Sequence, residues 1–218
     1  GLKDFHNGTQ SRCLLELISF YSRVPVIFIR SCTIQAFGSL LLASPQISIS
    51  SFEVCRCLIS SSLVESEDDL CKLKMLSIFD QMIQVFHAET PLIDVKDNIP
   101  INTNTNNTSK NNILSMEGDE SYFSALLQEH FKSILNCAVM SESFEVRAIS
   151  LKIGSSAAIL GLVNPQLIVP YLAIELNSEN EHIQAYSRSS FERLITRFPT
   201  MIGKDLLFPS TLLFQQQF

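Results

Sequence analysis

The chain has 218 residues, 46% of them apolar and only 17% charged, with a net charge of −6. That length can bury roughly 70% of the unfolded surface, enough for one or two globular domains, and the acidity argues against a self-sufficient binder of nucleic acid. No run reaches the ~18 uninterrupted apolar residues of a bilayer span, since Arg30 interrupts Val24 to Leu42, so no membrane partner is expected.

The predicted elements are all helical. Cys13, Leu14, Leu17, Ile18 and Tyr21 are spaced for one apolar face of an opening helix over about Arg12 to Arg23. Pro25 suits the first turn of a second helix that runs to Ala43, with Ile27, Ile34, Phe37 and Leu41 inward, before Ser44-Pro45 stops it. A shorter helix is expected over Phe52 to Leu63, although Ile47 to Ser51 alternates briefly in the manner of a strand. Glu65 to Asp69 then forms an acidic cluster, which reads as a helix start because negative charge is favoured at that end of the backbone dipole. The helix that follows covers Leu70 to His87, with Leu73, Leu76, Phe79, Ile83 and Phe86 on one side, and Pro91 closes it.

From Asp97 the composition changes. Seven asparagines stand between Asp97 and Asn112 among Thr, Ser and Lys. Such a stretch buries too little to offset the entropy of ordering, so 97–118 is expected to be a disordered loop. Beyond it, Tyr122 to Val139 presents Phe123, Leu127, Phe131, Ile134 and Ala138 on one face. Phe144 to Leu160 follows, with Val146, Ile149, Ile153 and Ala157 inward. Gly161 is placed to end that helix in a left-handed conformation, and Asn164-Pro165 reads as a cap followed by a first-turn proline. Pro170 lacks an amide donor, so the backbone should kink or restart there. Glu181 to Phe198 closes the set, with Ile183, Phe191 and Leu194 inward.

Helix pairs recurring at ~40-residue spacing indicate an all-α fold of the HEAT or armadillo class, an α-solenoid of stacked antiparallel helices. The expected organisation is helical repeats over 1–96, the Asn-rich loop over 97–118, and helical repeats again over 119–205. Residues 206–218 form an apolar tail that should dock on a neighbouring repeat. A start at Gly1 without an initiator Met is what a piece of a longer protein would show.

Each pattern that carries chemistry has a physical requirement that this chain does not meet. The seven glycines are scattered, so none form a phosphate-binding loop. The four histidines, at 6, 87, 130 and 182, have no second histidine at i+3 or i+4, and none stands beside a nucleophile. Six cysteines lie mostly within apolar helical patterns and read as buried free thiols; Cys55-Arg56-Cys57 points its two thiols in different directions on a helix. No enzyme activity, cofactor or metal is expected. The candidate contacts are basic: Arg188, Arg193, Arg197 and Lys204 lie on or just after one helix and could meet DNA or an acidic partner, or could be a solvated surface. Arg147 and Lys152 are equally open to either reading. Gly161, Asn164, Pro165 and Pro170 read as a structural junction.

Val146-Arg147-Ala148 opens one helix, Gly161-Leu162-Val163-Asn164-Pro165 leads into Val169-Pro170-Tyr171-Leu172, and Arg197-Phe198-Pro199 closes the last helix. That succession resembles the C-terminal HEAT-repeat region of the cohesin-loading subunit, the Nipped-B or adherin family. Phe37-Gly38-Ser39-Leu40-Leu41 ahead of Pro45, and Leu73-Lys74-Met75-Leu76 followed by Phe86-His87-Ala88-Glu89, are similar to earlier parts of it. The Asn-rich loop falls where the family carries a variable insertion. Asn164-Pro165 departs from a His-Pro step, and Asn177-Ser178-Glu179-Asn180 is less acidic than the family's turn. The resemblance implies a nuclear HEAT scaffold that helps load cohesin onto chromatin and stimulates the cohesin ATPase. Its implied partners are the kleisin and SMC heads of cohesin, chromatin DNA in the full-length protein, and a smaller helical-repeat loader subunit bound through an N-terminal region absent from this chain. The residues by themselves leave room for another helical-repeat scaffold, such as a nuclear transport receptor or a trafficking adaptor.

Overall fold

A computed structural model describes residues 8–43, 52–89 and 110–202. Among them there is no strand. The helices are α1 (Gly8–Tyr21), α2 (Ile27–Ala43), α3 (Phe52–Ser62), α4 (Asp69–Glu89), α5 (Lys110–Met140), α6 (Phe144–Ile159), α7 (Val169–Glu175) and α8 (Glu181–Arg197), with a 3-10 turn over Pro165–Leu167.

Packing sorts these helices into two rows. In one row α2 packs on α4, α4 on α6 and α6 on α8; in the other α1 packs on α3, α3 on α5 and α5 on α7. Within each layer the members are sequence neighbours, α1 with α2, α3 with α4, α5 with α6 and α7 with α8. This is the connectivity of an α-solenoid, in which each layer contacts only the layers beside it. The core runs continuously along the seam, through Phe37, Met75, Leu76, Phe79, Leu127, Ile134, Leu151 and Leu172.

Small residues set the closest approaches. A Cβ added at Gly38 would stand 2.4 Å from Cγ1 of Ile78, and one at Gly154 would stand 2.6 Å from Cδ1 of Ile168 and 2.8 Å from Cδ2 of Leu135. Glycine therefore brings α2 against α4, and α6 against α5 and the segment ahead of α7.

The acidic cluster does start a helix, and it does more. The carboxylate of Asp68 accepts the amide of Leu70 at 2.8 Å. Glu67 pairs with Arg30 of α2 at 2.6 Å, and Asp69 accepts the hydroxyl of Ser141 at 3.0 Å. Lys72, buried on α4, donates to the carbonyl of Glu65 at 2.9 Å and pairs with Asp69 at 3.4 Å.

Three expectations need correction. The spaced apolar residues of α1 are mostly its open face: Cys13, Leu14, Leu17 and Tyr21 are exposed, and Leu15 is the buried residue. Periodicity located a stripe correctly but could not say that no layer covers it among the described residues. The second helix begins at Ile27, and Pro25 lies in the turn before it, where the amides of Arg23 and Val24 bond back to Phe20 and Tyr21 at 3.2 Å. Finally, α5 begins at Lys110, so the 110–118 part of the expected loop is helical. Extending an existing helix adds a hydrogen bond for each residue fixed, so α5 can propagate backward without burying new surface. Residues 97–109, the brief 47–51 alternation and the 206–218 tail lie outside the described residues.

His130 on α5 is 3% exposed, and its Nε2 has no hydrogen-bond partner among the described residues. Burial lowers its pKa from the ordinary 6.5, opposed by Glu129 and reinforced by Arg56. The unfolded chain therefore binds this proton before the folded chain does. The stability contributed by neutral His130 is complete above pH 6.5 and is lost as the pH falls through the folded-state value. Urea titrations from about pH 7 to about pH 5 should show stability falling, and His130→Leu should flatten that fall; an unchanged slope in the variant would remove His130 as its cause.

Gly38→Ala should destabilise the chain by about 1–2 kcal/mol, because overpacking against Ile78 outweighs the ~0.5–1 kcal/mol that alanine gains in a helix. Thermal unfolding of Gly38→Ala, Ile78→Ala and the double variant should give losses that are less than additive. Strict additivity would show that the two side chains do not compete for the same space.

Candidate functional site

The junction between α6 and α7 is built by its own sequence. Gly161 has a φ of 78°, the left-handed conformation expected from its position. The amide of Leu162 bonds back to the carbonyl of Ala157 at 3.0 Å, and that of Gly161 to Ala158 at 3.1 Å. This is a Schellman cap, which satisfies the last carbonyls of α6 and turns the chain. Asn164 then accepts the amide of Gln166 at 2.9 Å, and Pro165 opens the 3-10 turn. Pro170 sits in the first turn of α7, so the backbone restarts there without losing a ladder hydrogen bond.

A buried ion pair fastens this junction to α6. Arg147 donates to Glu175 at 2.5 Å and to the hydroxyl of Ser178 at 3.3 Å. Glu175 is 1% exposed, at the end of α7, so its charge is held by Arg147 in place of water. Lys152 pairs with Asp80 of α4 at 2.7 Å. Both cations thus have partners within the fold. Glu175 itself was missed; the available signal is a lone carboxylate inside the apolar run Val169 to Leu176. The hydrogen bond from Tyr171 to Asn136 at 3.2 Å, which ties α7 to α5, had no sequence signal.

The basic residues of α8 are exposed but do not share one side. At about 100° per residue, Arg193 and Arg197 lie ~40° apart, while Arg188 lies ~140° from Arg193. The buried stripe of Ile183, Ser187, Ser190 and Leu194 defines the inner face, and Arg193 and Arg197 flank it. Arg197 also stands over the ring of Phe198, 5.8 Å from its centre. None of the three arginines is in an ion pair among the described residues. Lys204 lies outside the described residues. The candidate patch is therefore Arg193 with Arg197, and Arg188 faces elsewhere.

Other surfaces are apolar. Leu14, Leu17 and Tyr21 of α1 with Phe28, Ile29 and Cys32 of α2 line an open groove of about 690 Å³. A second groove, of about 640 Å³, lies at the junction between Phe131, Leu162, Val163 and Phe198.

Three of the six cysteines are buried and three are exposed. Burial pushes the thiols of Cys55 and Cys137 up to about 11 and raises that of Cys71, so all three stay protonated near neutral pH. Cys13, Cys32 and Cys57 are exposed, in contrast to the buried placement expected of them. Cys32 lies on the open groove between α1 and α2. No three His, Cys, Asp or Glu side chains come together to hold a metal among the described residues. No helix among them is long and apolar enough to cross a membrane.

Residues 123–217 match the family Nipped-B_C, sister chromatid cohesion C-terminus. The match takes in most of α5, all of α6 to α8 and the junction; the similar segments around Gly38 and Leu73 lie outside it. No curated protein matches the chain.

The junction geometry gives a direct expectation for Gly161→Val. Nothing lies within 4 Å of a Cβ added there, so contact adds no cost and the backbone conformation alone opposes the side chain. A loss of about 1–3 kcal/mol is expected, seen as a Tm lowered by about 2–10 °C. An unchanged Tm together with lost partner binding would make the junction a contact site and not a structural one.

Proposed function

We propose, from the match of residues 123–217 to the family Nipped-B_C, sister chromatid cohesion C-terminus, that the chain is a piece of a cohesin-loading scaffold. In this reading it helps load cohesin onto chromatin by contacting cohesin subunits and DNA and by stimulating the ATPase of the cohesin heads. It works in the nucleus, by binding and not by catalysis. Its partners are the kleisin and SMC heads of cohesin, with chromatin DNA engaged in the full-length protein. The smaller helical-repeat loader subunit binds through a region outside this chain.

The observation that carries the reading is the family match over α5 to α8. The stacked helices support it, because a solenoid offers long surfaces to extended partners and needs no active-site cleft. The protonated buried thiols are in keeping with binding in place of nucleophilic chemistry. Arg193 and Arg197 supply exposed guanidinium groups, in no ion pair among the described residues, suited to carboxylates or phosphates. With a net charge of −6 the isolated chain should bind DNA only weakly and in a salt-sensitive way.

The test is capture of recombinant kleisin and SMC head fragments by this chain at about 0.1 M salt. Both should be retained, and the pair Arg193→Glu with Arg197→Glu should weaken retention about tenfold, while Arg188→Glu has a smaller effect. Failure to capture either cohesin fragment would sink the scaffold reading. Capture that is indifferent to the double charge reversal would remove the arginine pair from the interface.

A further inference from the structure

The chain leaves the described region directly over the α6–α7 junction. The amides of Met201 and Ile202 bond back to Phe198 at 3.1 and 3.0 Å, and Gln166 donates to the carbonyl of Met201 at 3.0 Å. Ile202 is buried, whereas Leu167 and Met201 beside it are 52% and 38% exposed. Leu167 and Met201 border the junction groove of about 640 Å³, whose apolar walls include Phe131, Leu162, Val163 and Phe198, and no charged residue lines it among the described residues.

We propose that this groove is the docking site of the chain's own segment Leu206–Phe214, folded back over the junction. Three observations favour that occupant. The first is position, since the groove is bordered by Phe198 and Met201, which lie eight and five residues before the segment begins. The second is reach. Leu206 follows Ile202 by four residues, which span at most about 14 Å, enough for this groove. The groove between α1 and α2 lies three layers away, ~24–30 Å at 8–10 Å per layer, beyond the reach of Leu206 and Leu207. The third is chemistry. The segment Leu206-Leu207-Phe208-Pro209-Ser210-Thr211-Leu212-Leu213-Phe214 has no charge, and neither has the groove's lining among the described residues.

A photo-cross-linking residue, p-benzoylphenylalanine, placed at Leu167 in the full chain tests this. On illumination it should join residue 167 to a peptide containing 206–214 of the same chain, with a yield unchanged on about tenfold dilution. The same residue placed at Phe28 should capture no tail peptide. Cross-links from 167 that join two chains, capture of the tail at 28 and not at 167, or no tail capture at all would each overturn the proposal. In parallel, Leu207→Ser with Phe208→Ser should speed hydrogen exchange at the non-proline amides of 162–167 at least about tenfold, leaving α2 and α4 unchanged. Unchanged exchange at 162–167 would also overturn it.

Discussion

A helix inside a two-row stack has neighbours on opposite sides, and that constraint governs the rest of this chain. Helix α4 lies between α2 and α6, and α6 between α4 and α8. Each must therefore be apolar on two faces, which leaves little room for charge. The low charged fraction of the chain follows from this. So does the recurrence of small residues where rows come closest, at Gly38 and Gly154. The hydroxyls of Ser150, Ser155 and Ser187 are buried without partners among the described residues, so at those positions small volume is what the packing uses.

The charges that remain near the seam are used to fix one layer on the next. Arg30 of α2 holds Glu67 ahead of α4, Arg56 of α3 pairs with Glu129 of α5, Asp80 of α4 with Lys152 of α6, and Arg147 of α6 with Glu175 of α7. Apolar burial has no direction and would tolerate sliding of one helix along another. An ion pair across each interface penalises that sliding, because a shift of one turn would leave a partly buried charge without its partner. The strongest constraint is at Glu175, where loss of the partner would strand a carboxylate that is 1% exposed. Breaking a buried pair of that kind typically costs about 3–5 kcal/mol.

Local signals made much of the chain legible. Gly161 turns the chain after α6, and Asn164 caps the turn that Pro165 opens; both were readable from residue type and position. The inward set Phe123, Leu127, Phe131, Ile134 and Ala138 of α5 is buried as its spacing indicated. What could not be read depends on how layers stack. The partners of Arg147 and Lys152 lie 28 and 72 residues away, brought near by the pitch of the stack and not by any local pattern. The open face of α1 fails for a related reason. Period and hydrophobicity find a stripe, but whether another helix covers it is a property of neighbours. Arg188 stands away from Arg193 and Arg197 because five residues take a helix well past one full turn.

The junction shows how a local backbone choice becomes a property of the whole stack. A left-handed residue at 161 ends α6, and Pro165 and Pro170 then fix two backbone restarts within ten residues. Those restarts set the direction of α7, and the Arg147–Glu175 pair holds its far end in place. The direction of α7 in turn places α8, whose inner stripe meets α6 and whose flank carries Arg193 and Arg197. The same turn leaves Leu167 exposed along a groove that the buried Leu162 and Val163 also line. A straighter connection would close that groove and re-aim the arginine pair together. The chemistry exposed at this end of the stack is therefore set by the turn at Gly161 before any side chain of α8 contributes to it.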